Sequence, residues 1–259
     1  MSLLRIWVIA RHVFLGIIRD RALYLIALYS LLMLAATILL PQVASVAYDK
    51  IILDVGITGI HLLSLLVVAF IGTGLINQEI EKRTVLTMIA KPVSPMEFIA
   101  GKHLGLSLLL ALLIGLMGGV YVGVLWLNGI AYSPMSLLLA TVFMLLEMVL
   151  LGAIALLLGV ITSSLLATLL TFAVYLMGHL SSDIVTLGQL SENSSLRLFT
   201  RGLYLILPDL ERLNLRNQAI YGWDWLPSTE ALWSHGGYAI VYTLVLLALT
   251  GVIFSRRQF

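Results

Sequence analysis

Several apolar runs along this chain are long enough to cross a bilayer. They fall at about Ala22–Leu40, Val55–Ile76, Leu104–Leu127, Leu137–Val160, Leu165–Leu180 and Gly236–Phe254. A span takes about 20 apolar residues, and in lipid every backbone N–H must be paired within the segment, which such runs achieve as helices. The pattern predicts an all-α integral membrane protein with six transmembrane helices. The fifth run is the weakest, being short and interrupted by Thr168, Thr171 and Tyr175. The first is not a cleaved signal core: it starts late, is too long, and leads into Pro41-Gln42 instead of a small-residue cleavage site.

Polar positions fill in what lies between the runs. Arg5, His12 and Arg19 recur every seven residues and fall within about 40° on a helical wheel; Ile6, Val13 and Ile17 face away. Residues 1–21 therefore read as an interfacial helix with Trp7 at headgroup level. The alternative is an N-terminal extension of the first span. The Ser181–His235 segment is long for a passive connection. It has apolar stretches of its own, Arg197 and Arg201 one turn apart, and Trp223, Trp225 and Trp233. It reads as short helices lying on or dipping into the outer leaflet.

Composition agrees. Hydrophobic residues make up 61% of the 259 and charged residues 11%, less than half the soluble norm of about 25%, with a mean hydropathy of +1.07. A soluble globular domain and a disordered chain are excluded. A net charge of +2 gives nucleic-acid binding no electrostatic support. With no cysteine, disulfides, thiolate metal sites and cysteine nucleophiles are ruled out. Orientation follows from Lys and Arg. With the N-terminus inside, ten basic residues lie inside (Arg5, Arg11, Arg19, Arg21, Lys82, Arg83, Lys91, Lys102, Arg256, Arg257) and five outside (Lys50, Arg197, Arg201, Arg212, Arg216). Both termini are expected in the cytoplasm.

The inner segment Asn77–His103 is the most informative. Glu79 and Arg83 stand at i,i+4 with the acid first, the favourable order on a helix, and Glu79 with Lys82 adds an i,i+3 pair. The second span should continue as a charged helix to about Ala90, where Lys91-Pro92 stops it. Ser94-Pro95-Met96-Glu97 has the form of a capping box with proline at the first helical position, opening a helix that runs through Gly101-Lys102 into the third span. The result is a helix–turn–helix protrusion. By physics alone, a fit into a partner's cleft and a solvated hairpin stand level.

A resemblance separates them. Glu79, Arg83 and Thr84, then Pro92-Val93-Ser94, then Gly101-Lys102 resemble the cytoplasmic motif of ABC-transporter permeases of the second type, the exporter class. Pro95 stands where a basic residue is common. Leu207-Pro208-Asp209 through Arg216 is similar to a stretch in permeases of nitrous oxide reductase maturation. The resemblance implies one permease domain over residues 1–259, with an interfacial helix (1–21), a cytoplasmic coupling segment (77–103) and an extracytoplasmic segment (181–235). It implies a homodimer in the bacterial cytoplasmic (inner) membrane. Glu79, Glu81, Lys82, Arg83, Thr84, Pro92, Val93, Ser94 and Pro95 would meet separate ABC ATPase subunits. ATP and Mg would sit on those partners: no G-x-x-x-x-G-K-[ST] occurs here, so the chain cannot cradle nucleotide phosphates by that route. It is expected to be a transporter subunit, not an enzyme, and to bind no cofactor itself.

Within the spans, Gly115, Gly119 and Gly123 form one flat stripe suited to close helix packing, with an intrachain neighbour favoured over a dimer contact. Glu147, in mid-span, should face protein or water and have a partner, as a gate residue or as a hydrogen bond fixing helix register. His61 and His179 have no second ligand at metal spacing in the sequence, and no metal site is expected. His179, Ser181, Ser182 and Asp183 are close in sequence, but triads are defined in space, and no catalytic residue is assigned. The function expected is export of a substrate out of the cytoplasm, driven by partner ATPases. The alternative is a membrane anchor or force-transmitting component acting on an extracytoplasmic protein, with no solute passing through its spans.

Overall fold

The computed structural model describes residues 2–19, 23–43, 47–81, 94–190 and 194–256. These residues are mostly helical, with no strand among them. The helices are α1 (Leu3–Ile17), α2 (Tyr24–Val43), α3 (Tyr48–Val67), α4 (Thr73–Glu81), α5 (Pro95–Leu127), α6 (Pro134–Ile161), α7 (Ser164–His179), α8 (Ser181–Leu190), α9 (Ser194–Ile206), α10 (Arg216–Tyr221) and α11 (Thr229–Arg256). We call the end of the bundle that holds Glu81 and Ser94 the near end, and the other the far end.

Five helical stretches are long and apolar enough to span: Tyr24–Gln42, Tyr48–Asn77, Pro95–Leu127, Pro134–Ile161 and Thr229–Arg256. A sixth arises if Ser164–His179 and Asp183–Leu190, bent by 60°, count as one broken span. The weakest run of the sequence is thus the broken one. At 16 residues, α7 reaches about 24 Å, short of the roughly 30 Å of hydrocarbon. Residues 208–221 lie against its far end. Leu210, Leu213, Leu215 and Ala219 are buried in the main core with residues of α3 and α6. The Leu210 N–H donates to the Gly178 carbonyl at 3.1 Å, and the Asp209 N–H donates to the Tyr238 hydroxyl at 2.9 Å. Buried irregular backbone needs such partners.

The second span is continuous through a π turn at Val68–Gly72, which joins α3 to α4. Such a turn breaks the i→i−4 ladder. The Ala69 carbonyl accepts from the hydroxyls of Thr73 (2.7 Å) and Thr168 (3.1 Å), which binds α7 to the turn. Elsewhere packing is close: a Cβ on Gly159 would stand 2.8 Å from the Thr73 carbonyl oxygen.

The glycines that bring α1 onto the bundle are not those of the sequence stripe. A Cβ on Gly101 would meet Ile9 at 2.7 Å, and one on Gly105 would meet the Ala10 carbonyl oxygen at 2.7 Å. Ala10, Val13 and Ile17 of α1 are buried there. Among the described residues, nothing lies within 4 Å of such a Cβ at Gly115, Gly119 or Gly123. Beside Gly115 and Gly119 lies an apolar groove of about 490 Å³, lined on the other side by Leu137, Leu138 and Thr141 of α6.

Candidate functional site

The near end gathers what is described of the segment singled out by sequence. Glu79 and Glu81 lie in the last turns of α4, and Ser94 and Pro95 open α5. Lys82, Arg83, Thr84, Pro92 and Val93 lie outside the described residues, so the Glu79–Arg83 and Glu79–Lys82 pairs do too. The capping box is formed: the Glu97 N–H donates to Ser94 Oγ at 3.2 Å, and the Ser94 N–H donates to Glu97 Oε2 at 3.1 Å. Pro95, at the first helical position, lacks only an N–H that would have no intrahelical partner.

Glu97 does more than cap. Its Oε1 accepts from the Ser2 N–H at 2.7 Å, and Arg5 Nη1 stands 3.7 Å from Oε2. One carboxylate therefore holds the start of α1 to the start of α5. A second tie was not visible in the sequence: the Lys102 ammonium donates to Glu79 Oε1, joining α4 to α5. Lys102 is 7% exposed and also lies 5.3 Å over the Phe98 ring. Its charge is thus paired and its stem packed. Beside these polar ties, Ile76, Phe98, Ile99, Leu156, Val160 and Phe254 form a small core separate from the main one, with Phe98 and Phe254 stacked at 5.5 Å. The near ends of α4, α5, α6 and α11 are thereby packed into one block.

A second cluster lies at mid-depth. Glu147 is thirteen residues from one end of α6 and fourteen from the other, and is 1% exposed. A carboxylate at such depth costs at least about 2–3 kcal/mol, and it has a partner: His61 Nε2 of α3 is 2.9 Å from its Oε1. His179 Nε2, at the end of α7, is 3.4 Å from the same oxygen but not aligned for a hydrogen bond. One donor atom from each of the three residues lies within 4.8 Å of the others. The Tyr175 ring covers both imidazoles, at 5.6 Å from His61 and 4.6 Å from His179. Sequence spacing gave neither histidine a second ligand; the fold brings the two together with Glu147. Sequence spacing missed the set because each member comes from a different helix. The only signal available was that three polar residues occur in apolar runs.

Ser181 donates to the Gly178 carbonyl at 3.0 Å, a helix-end bond with no part in a triad. Trp223, Trp225 and Trp233 are exposed at the far end.

The sequence model of the ABC-2 family transporter proteins matches residues 7–259. Comparison with curated proteins gives no match. A match over nearly the whole chain, joined to an all-helical bundle with five or six apolar spans, places the protein: it belongs to the ABC-2 transporter family, as a multi-pass membrane permease component that is not itself catalytic.

Proposed function

We propose that this chain is the permease subunit of an ATP-driven exporter in the bacterial cytoplasmic membrane, working as a homodimer with two separate ATPase subunits. The near end would face the cytoplasm with both termini, and residues 77–103 would receive the motion of the ATPases. The observation that carries this reading is the near-end block. The Glu79–Lys102 pair, the Glu97 ties and the small core around Phe98 would pass a push on residues 82–93 to α1, α4, α5, α6 and α11 together. Alternating access needs such a rigid element, biased differently in two states. The open face at Gly115 and Gly119 supports a second copy packing there. The Leu207–Arg216 stretch favours a place near the permeases of nitrous oxide reductase maturation.

The test is co-purification. Reversing charge at Glu79 and Arg83 together should leave membrane insertion intact and remove the ATPase from the purified complex. Lys102→Glu breaks the same internal pair without touching residues 80–93 and should retain it. If the doubly reversed protein still carries stoichiometric ATPase, the coupling assignment fails. Transport in liposomes holding only permease and ATPase separates solute export from force transmission to an extracytoplasmic partner.

A further inference from the structure

We propose that His61, Glu147 and His179 form a binding site for a divalent first-row transition ion of the zinc class, where α3, α6 and α7 meet at mid-depth. The proposal does not rest on the transport reading. A tetrahedral ion with bonds of about 2.0–2.1 Å holds its donors about 3.3 Å apart. His61 Nε2 and His179 Nε2 stand 2.9 and 3.4 Å from one carboxylate oxygen, and the whole donor set falls within 4.8 Å. Each separation thus lies within about 1.5 Å of the tetrahedral spacing.

The hydrogen bonding favours a ligand. His179 Nδ1 lies 3.1 Å from the Tyr175 carbonyl oxygen, and a carbonyl only accepts. That nitrogen therefore carries the hydrogen, and Nε2 presents its lone pair toward Glu147. A metal-bound histidine is held in the same way, its other nitrogen donating to a backbone carbonyl or a carboxylate. His179 Nε2 and His61 Nδ1 are both buried without a hydrogen-bond partner. His61 Nε2 is engaged by Glu147 Oε1, but Nδ1 has no partner to lose, so a hydrogen on Nε2 can move to Nδ1 and free Nε2 for the ion.

The donor chemistry selects the class. Two imidazoles and one carboxylate suit zinc and its neighbours, whereas magnesium and calcium take oxygen sets. Three protein ligands leave a fourth position for water. Arg216 of α10 lies in electrostatic range of His61 and Tyr175, and Glu211 is in range of Tyr175. The cation at Arg216 opposes a dication, so Glu147, the one ligand of the three that can bring negative charge, is the one whose loss costs most. Bound metal would fasten the end of α7, just before the 60° bend, to two continuous spans.

The experiment uses the full chain in detergent, purified without a polyhistidine tag, stripped with a chelator and dialysed against Zn(II). Elemental analysis should find one zinc per chain, and Co(II) substitution should give the visible bands of a four-coordinate nitrogen–oxygen site. Glu147→Gln and His179→Gln should each weaken zinc binding at least about tenfold, since even outer-shell losses cost 10–100-fold. Zinc should raise the unfolding midpoint of the wild type and not of the variants. His179→Gln, at the less buried position, keeps the test open if Glu147→Gln fails to fold. Equal zinc in wild type and folded variants would show adventitious sites, and a folded wild type that takes up no zinc would show a hydrogen-bonded cluster only. Either result overturns the proposal.

Discussion

Glycine is where residue-level physics and position part company. The sequence offers two sets of glycines at fourfold spacing in α5, and close packing needs the Cβ to be absent only where another backbone arrives. That happens at Gly101 and Gly105, under α1. A Gly105→Ala methyl would meet the Ala10 carbonyl oxygen at 2.7 Å and Val13 Cβ at 2.7 Å. Such overpacking costs about 1–3 kcal/mol, and the variant should unfold several degrees below wild type in detergent. Gly119→Ala, with nothing within 4 Å of the new Cβ among the described residues, should change the stability of the monomer by less than about 0.5 kcal/mol. Equal unfolding midpoints for the two variants would contradict the packing described.

Among the elements, α1 shows how a local signal acquires a distant role. The Ser94–Glu97 box is specified within four residues, and its loss alone costs about 1 kcal/mol. Glu97 also holds Ser2 and Arg5, so Glu97→Ala should release the start of α1 as well as fray α5. Hydrogen exchange would read this directly, as faster exchange in the first turns of both helices. If only α5 responds, the burial of Ala10, Val13 and Ile17 holds α1 without help from the carboxylate. The periodic charge of residues 5–19 announced an amphipathic helix but not its partner. Arg5, the first member of the polar stripe, meets the α5 cap, while the apolar face meets the Gly101–Gly105 step.

For the whole molecule, the question is whether the near end behaves as one body. Glu79→Lys should lower the unfolding midpoint by placing two cations together, and adding Lys102→Glu should recover much of the loss. The pair is 28% and 9% exposed, so a coupling of about 0.5–3 kcal/mol is expected for contacting residues. Additive losses in the double variant would mean that α4 and α5 are held by the core around Phe98 alone. The far end is built differently. Asp209 accepts from Arg212 Nε at 2.7 Å and from the Tyr204 hydroxyl at 3.1 Å, which braces the irregular segment beside the end of α7.

The chain's own order determined whatever is local or periodic. Runs of apolar residues set the spans, because backbone in lipid has no other partner. Ser94-Pro95 with Glu97 set the start of α5, because a cap is satisfied within one turn. The interrupted fifth run gave the one span that breaks. Tertiary structure decided what depends on two helices meeting. Glu79 and Lys102 are 23 positions apart, and His61 and Glu147 are 86 apart, so no periodicity relates them. The same holds for the glycines: the spacing of Gly115, Gly119 and Gly123 matches that of Gly101 and Gly105, and only the path of α1 picks out the pair that is used. Leu210, Leu213 and Ala219 became core because α7 ends too soon to fill its column. That vacancy is a property of the bundle, set by how far each helix reaches, and no single stretch of sequence contains it.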